Sequence, residues 1–318
     1  MTRILVVRLG AMGDVIHALP AAATLKQAMA PSHLAWAIEP RWTPLLEGNP
    51  HVDEMIAINR REWSSVRSAW PRLRSGDWEL AVDLQGLVKS ALVARASRAK
   101  RVAGYDASQL RERAAAWCYT ESHTVEAVHI VDRHLDLAQA VGASRLWKEF
   151  PLPAGVVETP LPKEGFVLAS PFAGWPAKEW PIENYGSLAL LLRERAGLAL
   201  VLDGHASVEA PLRAVPGAIA HVSSITGLIG VTRRARAVVG VDSGPMHLAA
   251  ALSKPGVAIF GPTDPARNGP YGGSLRVLRA PGAATSYKRR RRTDASMAAI
   301  SPEMVMEALA HALAESRV

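Results

Sequence analysis

The chain of 318 residues has one cysteine, Cys118, so no internal disulfide can form and no thiolate cluster can hold a metal. No apolar run approaches the ~18 residues of a membrane span. The apolar stretch at 4–7 is cut short by Arg8 and Asp14, so a signal peptide is not expected. Aromatic residues make up 6% of the chain and do not interleave with basic ones, which argues against a nucleic-acid partner. Acid is in deficit, with 29 Asp and Glu against 37 Lys and Arg and a net charge of +8. That balance favours anionic partners such as phosphorylated ligands or an anionic membrane face. With 49% hydrophobic and 21% charged residues the composition is globular, and the reducing cytoplasm is the expected setting.

Short apolar runs alternate with helical patterns. Strands are expected at 4–7, 34–38, 55–58, 80–82 and 101–103, with helices at 15–30, 42–46, 63–73, 87–94 and 132–141. Pro151, Pro153, Pro160 and Pro162 then crowd an aperiodic stretch that reads as a linker. A second series follows, with strands at 166–169, 198–202, 218–221, 237–241 and 257–260. Its helices are expected at 182–194 and 246–252, and a last amphipathic one at 302–314. Alternation of this kind builds doubly wound α/β domains, with ligands at the carboxyl ends of the strands. The expected boundaries are 1–153 for a first Rossmann-like domain, 164–300 for a second, and 301–318 for a C-terminal helix.

The same junction occurs once in each half. Ile4-Leu-Val-Val-Arg8 runs into Leu9-Gly-Ala-Met-Gly13 and Asp14, and Ala237-Val-Val-Gly-Val241 runs into Asp242-Ser-Gly-Pro245. A strand, a glycine turn and a helix start leave backbone N–H groups and a helix dipole pointing at one place, which suits a phosphate. Asp14 reads either as a helix N-terminal carboxylate or as a general base. Asp242 and Ser243 read as helix caps or ligand contacts, and His247 as a core histidine or part of the site. Gly261-Pro-Thr-Asp-Pro265, with Thr263, follows the next strand on the same face. Lys178, in the loop Ala173-Gly-Trp-Pro-Ala-Lys-Glu-Trp-Pro181, is either a surface lysine beside packed tryptophans or a phosphate-neutralising cation. Lys288-Arg-Arg-Arg-Arg292 is either a solvated loop or a contact for a membrane surface or acidic ligand.

Five stretches, in order along nearly the whole chain, carry a family resemblance. They are Arg8-Leu-Gly-Ala-Met-Gly-Asp-Val-Ile-His17, Asp83-Leu-Gln-Gly-Leu-Val-Lys-Ser90, Lys178-Glu-Trp-Pro181, Asp242-Ser-Gly-Pro-Met-His247 and Gly261-Pro-Thr-Asp-Pro265. The chain resembles the ADP-heptose:lipopolysaccharide heptosyltransferases of glycosyltransferase family 9, and the second stretch leans toward the heptosyltransferase I branch. The resemblance implies a GT-B fold, two Rossmann-like domains facing a cleft, with the last helix packing back on the first. It implies inverting transfer of heptose from ADP-heptose to Kdo of the inner core by a monomer peripheral to the cytoplasmic face of the inner membrane. By position, Asp14 is then the base and Lys178 stabilises the leaving diphosphate. Asp242, Ser243, Gly244, His247 and Thr263 bind the donor, with Glu209 matched less directly. On the acceptor side are expected Gly13 and four cations of the N-terminal half, Arg60, Arg61, Arg111 and Arg113, suited to pairing with Kdo carboxylates or lipid A phosphates. No metal and no cofactor is implied, and no Asp-x-Asp motif stands at a strand end.

Two departures concern substrates more than fold. The loop Asp203-Gly-His-Ala-Ser-Val-Glu209 lacks the usual acids after its glycine, and Ser286–Ser296 carries the basic run where many relatives have cysteines. Alternative functions are transfer to a later core heptose, a GT-B nucleotide-sugar epimerase, a dinucleotide oxidoreductase, and a non-enzymatic polyanion-binding module.

Overall fold

The computed structural model describes residues 1–59 and 62–315, with Trp63 and Val66 described by backbone alone. The chain divides into two compact units, Met1–Pro153 and Ala154–Val318.

In the first unit, β1 (Thr2–Val7) leads to α1 (Met12–Ala28), then β2 (Ser32–Ile38), β3 (Glu54–Ala57) and α2 (Trp63–Arg74). After these come β4 (Leu80–Asp83), α3 (Val88–Ala96), β5 (Arg101–Tyr105), β6 (Glu121–His123) and α4 (Ile130–Ala140). All six strands are parallel, in the order β3-β2-β1-β4-β5-β6. Ile4, Leu5, Val6 and Val7 are all fully buried, because helices cover both sides of a central parallel strand. The helix expected at 42–46 is a 3-10 helix, Pro40–Leu45, whose Pro40 and Pro44 cannot donate α-helical hydrogen bonds.

The second unit repeats the plan. It runs β7 (Phe166–Ser170), α5 (Ile182–Ala196), β8 (Ala199–Gly204), α6 (Glu209–Arg213), β9 (Ala218–Val222), α7 (Ile225–Arg234) and β10 (Ala237–Val241). There follow α8 (Gly244–Ala251), β11 (Gly256–Phe260), α9 (Pro265–Asn268), β12 (Leu275–Arg279), α10 (Ala295–Ala298) and α11 (Pro302–Glu315). Its parallel sheet is ordered β12-β11-β10-β7-β8-β9. Counted within each unit, both sheets follow 3-2-1-4-5-6, the doubly wound order whose direction reverses between the first and fourth strands. In folds of this order ligands bind at the reversal, which lies between β1 and β4 in one unit and between β7 and β10 in the other.

Helix α11 packs on α5, β10, β11 and β12 and buries Val305, Met306, Leu309 and Ala312 in the core of the second unit. Trp180 joins these parts. It is buried, stacks edge-on to Tyr185 with centroids 4.9 Å apart, and donates from Nε1 to the Ile300 carbonyl at 2.8 Å. Trp180→Ala should therefore destabilise the second unit by about 3–5 kcal/mol. Trp180→Phe, which leaves the Ile300 carbonyl unpaired, should cost about 1–3 kcal/mol. Urea unfolding followed by circular dichroism checks both, and an unchanged midpoint for Trp180→Ala would refute the assignment.

Candidate active site

Each loop at the second unit's reversal point contributes one member of a buried polar cluster. Asp242 directly follows β10, and its Oδ2 accepts from Lys178 Nζ at 3.0 Å, with the side chains only 9% and 11% exposed. His247 Nε2, one turn into α8, stands 3.6 Å from the other carboxylate oxygen. Burial by itself would push the Asp242 carboxyl up. His247 and Lys178, with the Thr263 hydroxyl adding in the same direction, overcome that and hold it well below the usual carboxylate range. The pair is therefore charged and nearly buried. The Lys178 ammonium also lies 4.3 Å from the centroid of the Trp175 ring, a cation–π contact.

Several polar atoms around this cluster lack partners. The Ser243 hydroxyl and the Trp175 indole N–H are buried without hydrogen bonds. Ser243 is the N-cap of α8 yet its side chain makes no capping bond, and Pro245 occupies the first turn. A helix N-terminus, a fixed lysine and unpartnered donors form a site for an anion bearing several oxygens.

The first unit's reversal point is organised around Arg8. Its buried guanidinium donates to the Leu84 carbonyl at 2.7 Å and pairs with Asp14 Oδ1 at 2.7 Å. Asp14 Oδ2 accepts from the Ala11 N–H at 3.0 Å, but the side chain remains 46% exposed. Asp14 thus closes the start of α1 and leaves part of its carboxylate in solvent. Gly10 makes the turn at φ +154°, where a Cβ would strike the Trp42 indole at 2.4 Å.

The loop after β4 locks onto this turn. The fully buried Asp83 accepts from Gln85 N–H (2.8 Å), Gly86 N–H (3.2 Å), Ser90 Oγ (2.9 Å) and the Tyr119 hydroxyl (2.8 Å). Burial raises its pKa despite these bonds. The turn so fixed lets Gln85 Oε1 accept from the Leu9 N–H at 3.0 Å. Behind Arg8, the Tyr105 hydroxyl meets His134 Nδ1 at 2.5 Å. Burial, then the Arg8 and Arg133 charges, holds His134 well below its ordinary pKa, so it is neutral. Asp14 is the ion-pair partner of Arg8.

The sequence profile of Glycosyltransferase family 9 (heptosyltransferase) matches residues 66–298, most of the chain. The chain belongs to glycosyltransferase family 9. The Pseudomonas aeruginosa lipopolysaccharide heptosyltransferase 1 is 33% identical over 86% of this chain and 82% of its own length. The Escherichia coli K12 lipopolysaccharide heptosyltransferase 1 is 30% identical over 88% and 94%. Among solved structures, the E. coli heptosyltransferase WaaC with ADP matches at a TM-score of 0.78 and 26% identity, covering 96% of this chain and 98% of that one. E. coli ADP-heptose lps heptosyltransferase II matches at 0.80 and 24% identity over the whole of both chains. The fold is GT-B, as the resemblance implied, and this family 9 protein is a glycosyltransferase.

The structure brings Lys178, Asp242, Ser243, His247 and Thr263 together at one reversal point, with Gly244 opening α8. Glu209 stands apart from them as the first residue of α6. It pairs with Arg213 at 2.6 Å and lines a separate cavity of about 200 Å³ with Thr159, Pro160 and His221. Gly13 is buried in the first turn of α1. Arg111 and Arg113 are exposed, and Glu112 between them accepts from the Val88 N–H at 2.8 Å, tying their segment to the start of α3. Arg60 and Arg61 lie outside the described residues. Arg8, Gln85 and Trp175 had no functional role in the sequence reading. The only cue was an arginine at the carboxyl end of an apolar strand, where a buried charge needs a purpose.

A carboxylate held below its ordinary value of 3.8 stabilises the fold fully above that pH and loses its contribution as pH falls toward the folded value. At about pH 7, Asp242→Asn should cost about 3–5 kcal/mol by leaving Lys178 buried and unpaired. The gap from wild type should stay level down to about pH 4 and narrow below it. Denaturant unfolding at about pH 7, 5 and 3 tests this; a gap that widens in acid would contradict it.

Proposed function

We propose that this family 9 protein is an inverting heptosyltransferase of the heptosyltransferase I type. It moves L-glycero-D-manno-heptose from ADP-heptose to a Kdo hydroxyl of the lipopolysaccharide inner core. The observation that carries the donor assignment is the charged, buried Lys178–Asp242 pair among unpartnered polar atoms at the β7/β10 reversal point. Such a site favours an anion whose charge grows during reaction, as on a departing nucleoside diphosphate. The relatives named above are lipopolysaccharide heptosyltransferases, and one solved relative holds ADP.

In this proposal the acceptor hydroxyl loses its proton to Asp14. The resulting oxygen nucleophile attacks the anomeric carbon from the face opposite ADP, so the configuration inverts. The C–O bond to the diphosphate breaks, and its charge falls toward Lys178 and the N-terminus of α8. Arg8 holds the Asp14 carboxylate in place from the buried side, leaving its exposed side for the acceptor. Lys178 has three N–H donors, of which Asp242 takes one, so it can serve ligand oxygens without leaving its partner. Arg111 and Arg113 are exposed cations suited to Kdo carboxylates and lipid A phosphates. Such an acceptor places the enzyme at the cytoplasmic face of the inner membrane. No helix among the described residues is long and apolar enough to cross it.

The deciding experiment is release of ADP from ADP-heptose with and without Kdo2-lipid A, together with the mass of the lipid product. Acceptor-dependent release with a gain of one heptose supports the proposal; release that ignores the acceptor refutes the Kdo assignment. Asp14→Asn should lower turnover by about 10²–10⁴ while ADP affinity stays unchanged. Lys178→Ala should lower kcat by about 10²–10³. Wild-type kinetics for either variant would remove that residue from the mechanism.

A further inference from the structure

Lys288-Arg-Arg-Arg-Arg292 is a dense block of like charge that the donor chemistry so far leaves without a part. Its loop runs across the carboxyl ends of the second unit's strands. On one side the Ser286 N–H donates to the Pro262 carbonyl at 2.7 Å, and Arg279 bridges the Gly261 carbonyl and Thr285 Oγ1 at 3.1 and 2.9 Å. On the other side the Asp294 N–H reaches the Ala177 carbonyl at 3.4 Å. The basic run is therefore strung between the loop that carries Thr263 and the loop that carries Lys178.

Arg289 is singled out within it. Its guanidinium carbon lies 5.4 Å from the centroid of the Trp175 ring that also carries Lys178. Sharing one indole bounds the separation of the two cations at about 10 Å, close to the screening length of 0.1 M salt, so they still repel each other. Arg290 turns to Asp294 at 3.6 Å, whereas Arg289 makes no ion pair among the described residues. The Trp175 indole N–H is one of the buried donors without a partner. Two neighbouring cations and an unsatisfied donor form an arrangement that an anion would relieve.

We propose that Arg289, steadied on Trp175, is a second diphosphate-binding cation of the donor site. This rests on the nucleoside-diphosphate donor proposed above. The planar guanidinium can take two non-bridging phosphate oxygens at once, which the Lys178 ammonium cannot do in the same geometry. The pair divides the work: Lys178 is fixed by Asp242 inside the pocket, and Arg289 closes over the ligand from the loop.

Calorimetric titration of the full chain with ADP, AMP and inorganic pyrophosphate tests the assignment. Arg289→Ala should weaken ADP and pyrophosphate by about 10- to 100-fold and AMP much less. Arg289→Lys should recover part of the loss, and Arg291→Ala should bind all three as wild type does. Unaltered ADP binding in Arg289→Ala overturns the proposal, as does an equal loss for AMP, provided the unfolding midpoint is unchanged. Loss of binding to phosphatidylglycerol vesicles with ADP binding intact also overturns it and makes the run a membrane contact. If the wild type binds pyrophosphate and not ADP, with Arg289→Ala weakening pyrophosphate, the cation pair stands and the nucleotide-sugar donor falls. Binding of neither overturns both.

Discussion

A parallel sheet covered by helices on both faces has nowhere to place polar chemistry except beyond the ends of its strands. In each unit the central strands are largely apolar and buried, and the polar side chains of the candidate sites gather where the strand order reverses. Four of the five family stretches lie at such a point, at the carboxyl ends of β1, β4, β7 and β10, and the fifth follows the adjacent β11. The repeated 3-2-1-4-5-6 order is thus what turns five separate loops into two sites.

The two sites handle buried charge in opposite senses. In the first unit a buried cation, Arg8, is balanced by a carboxylate that keeps one side in solvent. In the second a buried carboxylate, Asp242, is balanced by a lysine almost as buried as itself, with His247 beside it. An exposed carboxylate can exchange protons with an arriving hydroxyl. A buried ion pair cannot relax when charge develops beside it, which is the condition for electrostatic preorganisation. Their neighbours reinforce the contrast: neutral His134 and Tyr105 back Arg8, while unpartnered donors surround Lys178.

Much of the fold was legible because short continuous apolar runs and glycine turns mark parallel strands and their carboxyl ends. What escaped had local reasons. Helix α7 contains Gly227 and Gly230, which argue against a helix, but they are required where the linker lies on it. A Cβ on Gly230 would meet the Val156 carbonyl at 2.4 Å, and one on Gly227 would meet the Glu158 carboxylate at 2.1 Å. The edge strands β6 and β12 are short or alternate with arginine, so neither carries the continuous apolar signal of a central strand. Of the candidate site, Lys178 and Asp242 were visible as types in the right loops, but their contact, 64 positions apart, was not.

Sequence alone determined that two α/β units would form, that Asp14 would stand at the first helix start and Asp242 at the second junction, and that a lysine would follow the first strand of the second half. These follow from local periodicity and turn chemistry, which act over a few residues. Only the tertiary structure decided that Lys178 meets Asp242, that Trp175 carries both Lys178 and Arg289, and that Glu209 stands apart from the Asp242 cluster. Those outcomes depend on which strand ends the sheet order sets side by side, and on the cost of leaving a buried charge alone, neither of which is written in any single stretch of chain.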